Sequence, residues 1–157
     1  MKKLFYLLFL LPLTVLMSCK DDDKDFSPVD MTITLSGVTV DNGEFYTVAG
    51  EKVTIDRLDV KSIDGKNTGL ANVVFDLNGA PIFNYPGSGN LGEFSTENFP
   101  AGKYSLGITG NLLQVDSSIK IFAISYPLTV VESAEDLPEG APELGTYSFT
   151  YKITNTD

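Results

Sequence analysis

The sequence predicts an all-β domain built as a sandwich of two sheets. Three observations point there. After residue 28 the apolar residues recur mostly with period two, the signature of half-buried strands. Turn pairs punctuate them at short intervals, and two are Asn-Gly (Asn42-Gly43 and Asn78-Gly79), which favours positive φ at both central positions of a tight hairpin. No stretch after Cys19 keeps a helical period. Eight or nine short strands in a chain of 157 residues fit one sandwich with one core.

Met31, Ile33 and Leu35 alternate with Thr32, Thr34 and Ser36 as a first strand. Val38 and Val40 lead into the Asn42-Gly43 turn, and Glu44 to Val48 runs back. From Lys52 to Lys61 the parity changes, Val53 and Ile55 on one phase, Leu58 and Val60 on the other, which predicts a bulge near Asp56-Arg57. Ile63 to Leu70 reads as a loop around Asp64-Gly65-Lys66. Val73, Phe75 and Leu77 share a face before the Asn78-Gly79 turn, and Ile82 to Tyr85 returns. Pro86 to Gly92 contains a literal G-x-G-x-x-G, but strand-like residues follow it and no helix, so it reads as a surface loop and not a nucleotide cradle. Tyr104, Leu106 and Ile108 face one way. Ile119 to Val131 is apolar on both parities, as a central strand would be, with Pro127 marking a bulge or a change of edge. Glu132 to Gly145 reads as a loop. Tyr147, Phe149, Tyr151 and Ile153 alternate with Ser148, Thr150 and Lys152 as an extra C-terminal strand, residues 146–154. It either closes its own sheet or adds to a neighbour's edge.

Three stretches resemble bacterial immunoglobulin-like or fibronectin-type domains: Gly50-Glu51-Lys52-Val53-Thr54-Ile55, Ala71 to Gly79, and Phe99-Pro100-Ala101-Gly102-Lys103-Tyr104-Ser105-Leu106. The resemblance spans roughly residues 46–131 and implies a single Ig-like β-sandwich over 29–157. The inter-sheet cysteine pair and core tryptophan of antibody domains are absent, so Phe75 and Tyr104 are expected to fill that core. Tyr104 either forms a tyrosine-corner hydrogen bond or packs as an ordinary ring.

The N-terminus reads as an address. Lys2-Lys3 precedes an apolar run from Leu4 to Leu16, about thirteen residues and short of the ~20 that cross a bilayer. That pattern predicts a cleaved signal peptide over 1–18. Leu16-Met17-Ser18-Cys19 resembles a bacterial lipobox, which implies acylation of Cys19, and two or three acyl chains anchor stably where one is marginal. The following Lys20, Asp21, Asp22 and Asp23 resemble the surface-export signal of Bacteroidota lipoproteins. On residues alone, 19–28 is an acidic, solvated tether. The resemblance implies a lipid-anchored protein of the outer membrane, displayed at the cell surface and bound to the membrane through that anchor.

Composition narrows the function. Eleven Lys plus Arg face 21 Asp plus Glu, a net charge of −10 that becomes −12 without Lys2 and Lys3. Such a surface repels phosphate backbones, which argues against nucleic acid. One cysteine and no histidine leave no disulfide, no serine–histidine triad and poor means to hold zinc. Only carboxylate pairs remain as catalytic devices. Glu93 with Glu97, and Glu44 with Glu51, sit at turns where acids are ordinarily solvated. Asp56, Asp59 and Asp64 are a conceivable calcium set or plain turn acids. No catalytic residue, metal or cofactor is therefore expected. Phe83, Tyr85 and Tyr46 are candidate ligand-binding aromatics, either a sugar platform or edge packing. The expectation is a non-enzymatic module that binds or scaffolds a protein or glycan at the cell surface. The alternative is a carbohydrate-binding accessory of a glycan-uptake system.

Overall fold

A computed structural model describes residues 26–117, 119–141 and 143–154. The expected signal peptide, Cys19 and the Lys20–Asp23 signal lie outside these residues. The described chain is all β: β1 Val29–Asp41, β2 Glu44–Val48, β3 Lys52–Ser62, β4 Thr68–Leu77, β5 Ala80–Tyr85, β6 Glu93–Ser95, β7 Gly102–Gln114, β8 Lys120–Val131 and β9 Gly145–Ile153, with a short 3-10 turn at Ala134–Asp136.

The strands form two layers joined through β1. One sheet runs β9-β1-β3-β6, the other β5-β4-β7-β8-β2. Residues 29–38 of β1 pair in the first sheet, while Thr39–Asp41 pair with β2 in the second. Gly37 makes this corner. Its φ is +82°, and a Cβ there would run into the Lys52 carbonyl, so only glycine fits. Thr47, fully buried, locks the corner by donating its hydroxyl to the Gly37 carbonyl at 2.8 Å.

Period two becomes burial as expected. Val29, Met31, Ile33 and Leu35 from one sheet meet Val73, Phe75, Leu77, Leu106, Ile108, Leu112, Phe122 and Leu128 from the other, all buried. Burying one such side chain contributes about 1.5–3 kcal/mol. Both Asn-Gly turns form, with Asn42 and Asn78 at φ near +50°. The bulge falls on Asp56, skipped between the pairs Thr34↔Arg57 and Leu35↔Ile55. Tyr104 donates its hydroxyl to the Pro100 carbonyl at 2.7 Å, four residues upstream, as in a tyrosine corner.

The C-terminal strand closes its own sheet, antiparallel to β1 from Val38↔Gly145 to Val29↔Ile153. Two rows fix that register. On the outer face a hydroxyl ladder joins Thr32 to Thr150 (3.3 Å), Thr34 to Ser148 (2.6 Å) and Ser36 to Thr146 (2.6 Å). On the inner face Tyr147, Phe149 and Tyr151 pack against the core.

Two expectations change, and the alternatives for Pro127 are decided. The tether is shorter than residues 19–28, because Phe26 and Ser27 are buried. Gln114, itself buried, accepts from the Ser27 N–H at 2.8 Å and donates to the Ser27 carbonyl at 3.2 Å. Pro127 is no bulge: β7 pairs through it without a register shift. Pro127 sits where β8 changes edge, since β2 joins only from Leu128 onward. Finally, β8 is not buried on both faces, for Ile121 is 75% exposed and Ile119, just before the strand, 64%. No further layer covers that outer face among the described residues.

The register gives the sandwich two ends. The tether end gathers Phe26–Pro28, the loop 63–67, the β7–β8 hairpin and Thr154, with Val29 opposite both Ser62 and Ile153. The loop end gathers the turn 49–51, Asn78-Gly79, residues 96–101 and the loop 132–144.

Candidate functional site

The aromatics singled out by sequence do not converge. Phe83 and Tyr85 lie on β5, at one edge of the five-stranded sheet, and pack inward, Phe83 against Phe75 with ring centroids 6.0 Å apart. Tyr46 lies on β2, between β8 and the end of β1, on the other face from buried Phe45. Four inter-strand steps, about 19 Å, separate β5 from β2. Partial burial and the Glu44 carboxylate hold the Tyr46 hydroxyl above its ordinary range. A flat sugar platform from these three is not formed, because strand parity turns two of them into the core.

The acids have partners of their own. Asp56 accepts from Ser36, and Asp59 pairs with Arg57 at 2.5 Å. Asp64 accepts from the hydroxyls of Ser27 and Ser62, each at 2.5 Å, and from the Lys66 N–H at 3.2 Å. These donors hold its carboxyl down to about 2, the Ser27 hydroxyl contributing most. Glu93 pairs with Lys52 at 2.5 Å, which raises the lysine's pKa, and Glu44 accepts from Thr129. Among the described residues no three of His, Cys, Asp and Glu gather where a metal ion could sit. Asp64 is a structural clasp: with Gln114 it holds Ser27, the point where the chain enters the domain.

Two surfaces that the sequence did not single out carry more. The first is an aromatic seam where β8 and β9 face each other across the open side of the sandwich. Phe45, Tyr126 and Phe149 form a mutually packed trio with centroid separations of 5.8, 5.4 and 4.6 Å. With Val40, Gly43, Tyr147 and Ser148 they line a groove of about 210 Å³. Burial, and then the neighbouring Tyr151, raises the pKa of the Tyr126 hydroxyl. The alternation of Tyr147 and Phe149 was legible, but their partners on β2 and β8 are distant in the chain.

The second surface is at the tether end. Ile63, Leu113, Val115, Ile119 and Ile121 are the exposed large apolar residues among those described, and all five lie there. Leu113, Val115 and Ile119, with Asn67, Gly69, Gln114 and Ser117, line a shallow depression of about 400 Å³. The signal available in sequence was the double-parity apolar pattern of 119–131, which also describes a buried central strand.

No model of a known protein family matches the chain, and no curated protein matches it in sequence.

Proposed function

We propose that the protein is a surface lipoprotein of the outer membrane, anchored by acyl chains on Cys19, whose immunoglobulin-like sandwich binds or scaffolds other envelope or extracellular components without catalysing a reaction. The observation that carries this reading is a junction. A lipobox-like Leu16-Met17-Ser18-Cys19 and an acidic Lys20–Asp23 run stand only a few residues before Phe26, where the compact domain begins. The strand order supports the immunoglobulin-like part. The first, second and fifth strands of that plan correspond to β1, β3 and β6 in one sheet, and the third, sixth and seventh to β4, β7 and β8 in the other. Such a plan collects loops at its two ends. With the tether at one end, the loop end and the aromatic seam are left to meet partners.

A glycan-uptake role would draw support from coplanar exposed rings. Phe83 and Tyr85 turn inward, so no observation favours that reading over binding or scaffolding.

Metabolic labelling with a clickable palmitate analogue tests the anchor. The native chain should take up label and fractionate with membranes, and Cys19→Ala should lose both properties. Label retained by Cys19→Ala, or native protein found wholly in the soluble fraction, contradicts the proposal.

A further inference from the structure

The tether end carries an apolar tip with no role in the core. Ile63 is 58% exposed, Val115 54%, Ile119 64% and Ile121 75%, with Leu113 beside them at 41%. Isolated exposed apolar side chains are ordinary, but five confined to one end, three of them (Leu113, Val115 and Ile119) lining one depression, mark a contact surface. The same end receives the chain. Gln114, on the strand that leads into the tip, grips Ser27 through both its N–H and its carbonyl, so the tether emerges beside the tip and in fixed relation to it. Seven residue steps separate Cys19 from Phe26, a span of at most about 25 Å when fully extended.

We infer that the hairpin tip of Leu113, Val115, Ile119 and Ile121, with Ile63, rests in the headgroup region of the bilayer that holds the Cys19 anchor, fixing the domain upright with its loop end outward. This inference rests on the lipoprotein reading above. The short tether confines the domain to the membrane surface, so the tip meets lipid at high effective concentration and needs little intrinsic affinity. Aliphatic side chains on a β-hairpin enter the interface by burying apolar area, as the apolar face of an interfacial helix does. Charge contributes little. Lys61, Lys66, Lys120 and Lys152 surround the tip, but Asp30, Asp64 and Asp116 stand among them and the tether adds Asp21, Asp22, Asp23 and Asp25. The contact is therefore expected on zwitterionic lipid and is insensitive to salt.

The chain contains no tryptophan, so a single introduced indole reports its surroundings without background. Full-length Val115→Trp, Ile121→Trp and, at the loop end, Glu135→Trp are expressed in a lipoprotein-processing host. They are then reconstituted into phosphatidylcholine vesicles with and without brominated acyl chains. Mass spectrometry of each preparation reads acylation at Cys19. The inference expects blue-shifted emission and at least twofold quenching by brominated lipid for Val115→Trp and Ile121→Trp. It expects unshifted, unquenched emission for Glu135→Trp, all unchanged between low and high salt. Acylated protein whose tip indoles stay unquenched overturns the inference and leaves the anchor standing. Cys19 without acyl chains overturns the anchor reading and the inference together. A blue shift in detergent that grows with protein concentration and needs no lipid assigns the tip to a second copy of the chain and overturns membrane contact.

Discussion

The two ends of the sandwich cap the same strands but differ in chemistry. The tether end holds every exposed large apolar side chain among the described residues, and a clamp in which buried Gln114 and exposed Asp64 grip Ser27. The loop end exposes acids instead: Glu51, Glu97, Glu132, Glu135, Asp136, Glu139 and Glu143. Its own ties satisfy local backbone, with Thr96 donating to the Val48 and Glu51 carbonyls and Tyr104 to the Pro100 carbonyl. Neither end adds much to the core, which lies between the sheets. The contrast teaches that apolar exposure is concentrated at the end where the chain enters the domain, and acidic exposure at the other.

The largest effect on stability should come from breaking the tether-end clamp. Gln114→Ala leaves the Ser27 N–H and carbonyl without their buried partner and opens a cavity, so unfolding in denaturant should show a loss of about 3 kcal/mol. At the loop end, Thr96→Val keeps the shape of a fully buried side chain but removes two hydrogen bonds, and the same measurement should show about 1.5 kcal/mol. Tyr104→Phe, which loses one more exposed bond, should show about 1 kcal/mol. If the loop-end variants cost more than Gln114→Ala, the clamp is not the stronger tie of the two ends.

A smaller effect shows in the pH dependence of stability. The Asp64 carboxyl is lowered from 3.8 to about 2 in the folded chain. A lowered folded pKa means that its contribution is fully present above about pH 4 and is lost as the pH falls through 2. Asp64→Asn should therefore flatten the acid limb of a stability–pH curve below pH 4 and leave its shape above pH 5 unchanged. A mutant curve parallel to the wild type between pH 4 and 2 contradicts this. Smallest of all, Ile119→Ser with Ile121→Ser should change stability in solution by no more than about 0.5 kcal/mol, because both side chains are mostly exposed. A loss of several kcal/mol would return these residues to the core.

How much of this was legible in sequence depends on how local each signal is. The turn at Asn42-Gly43 and the bulge at Asp56 follow from the chemistry and parity of neighbouring residues, and both are found. The alternation from Tyr147 to Ile153 identified β9, but its pairing with β1 joins residues more than 100 positions apart, and only the fold selects that partner. Phe83 and Tyr85 looked available as ligand contacts because an edge strand shows the same alternation whichever face is covered. Ile119 and Ile121 were hidden for the converse reason. Apolar residues on both parities describe a buried strand and an exposed tip equally well, and only the missing outer layer separates them. The Gln114 clamp had no sequence signal, since its partner Ser27 lies 87 residues away.

The central claim, a domain anchored at one end and facing the medium, is tested most directly by protease shaving of intact cells. The native chain is compared with one in which Asp21, Asp22 and Asp23 are replaced by alanine. The account predicts that the native domain is cleaved on whole cells while the alanine version is protected until the cells are lysed. If neither protein is cleaved on whole cells and both are cleaved in lysate, the domain faces the periplasm and the surface reading is contradicted.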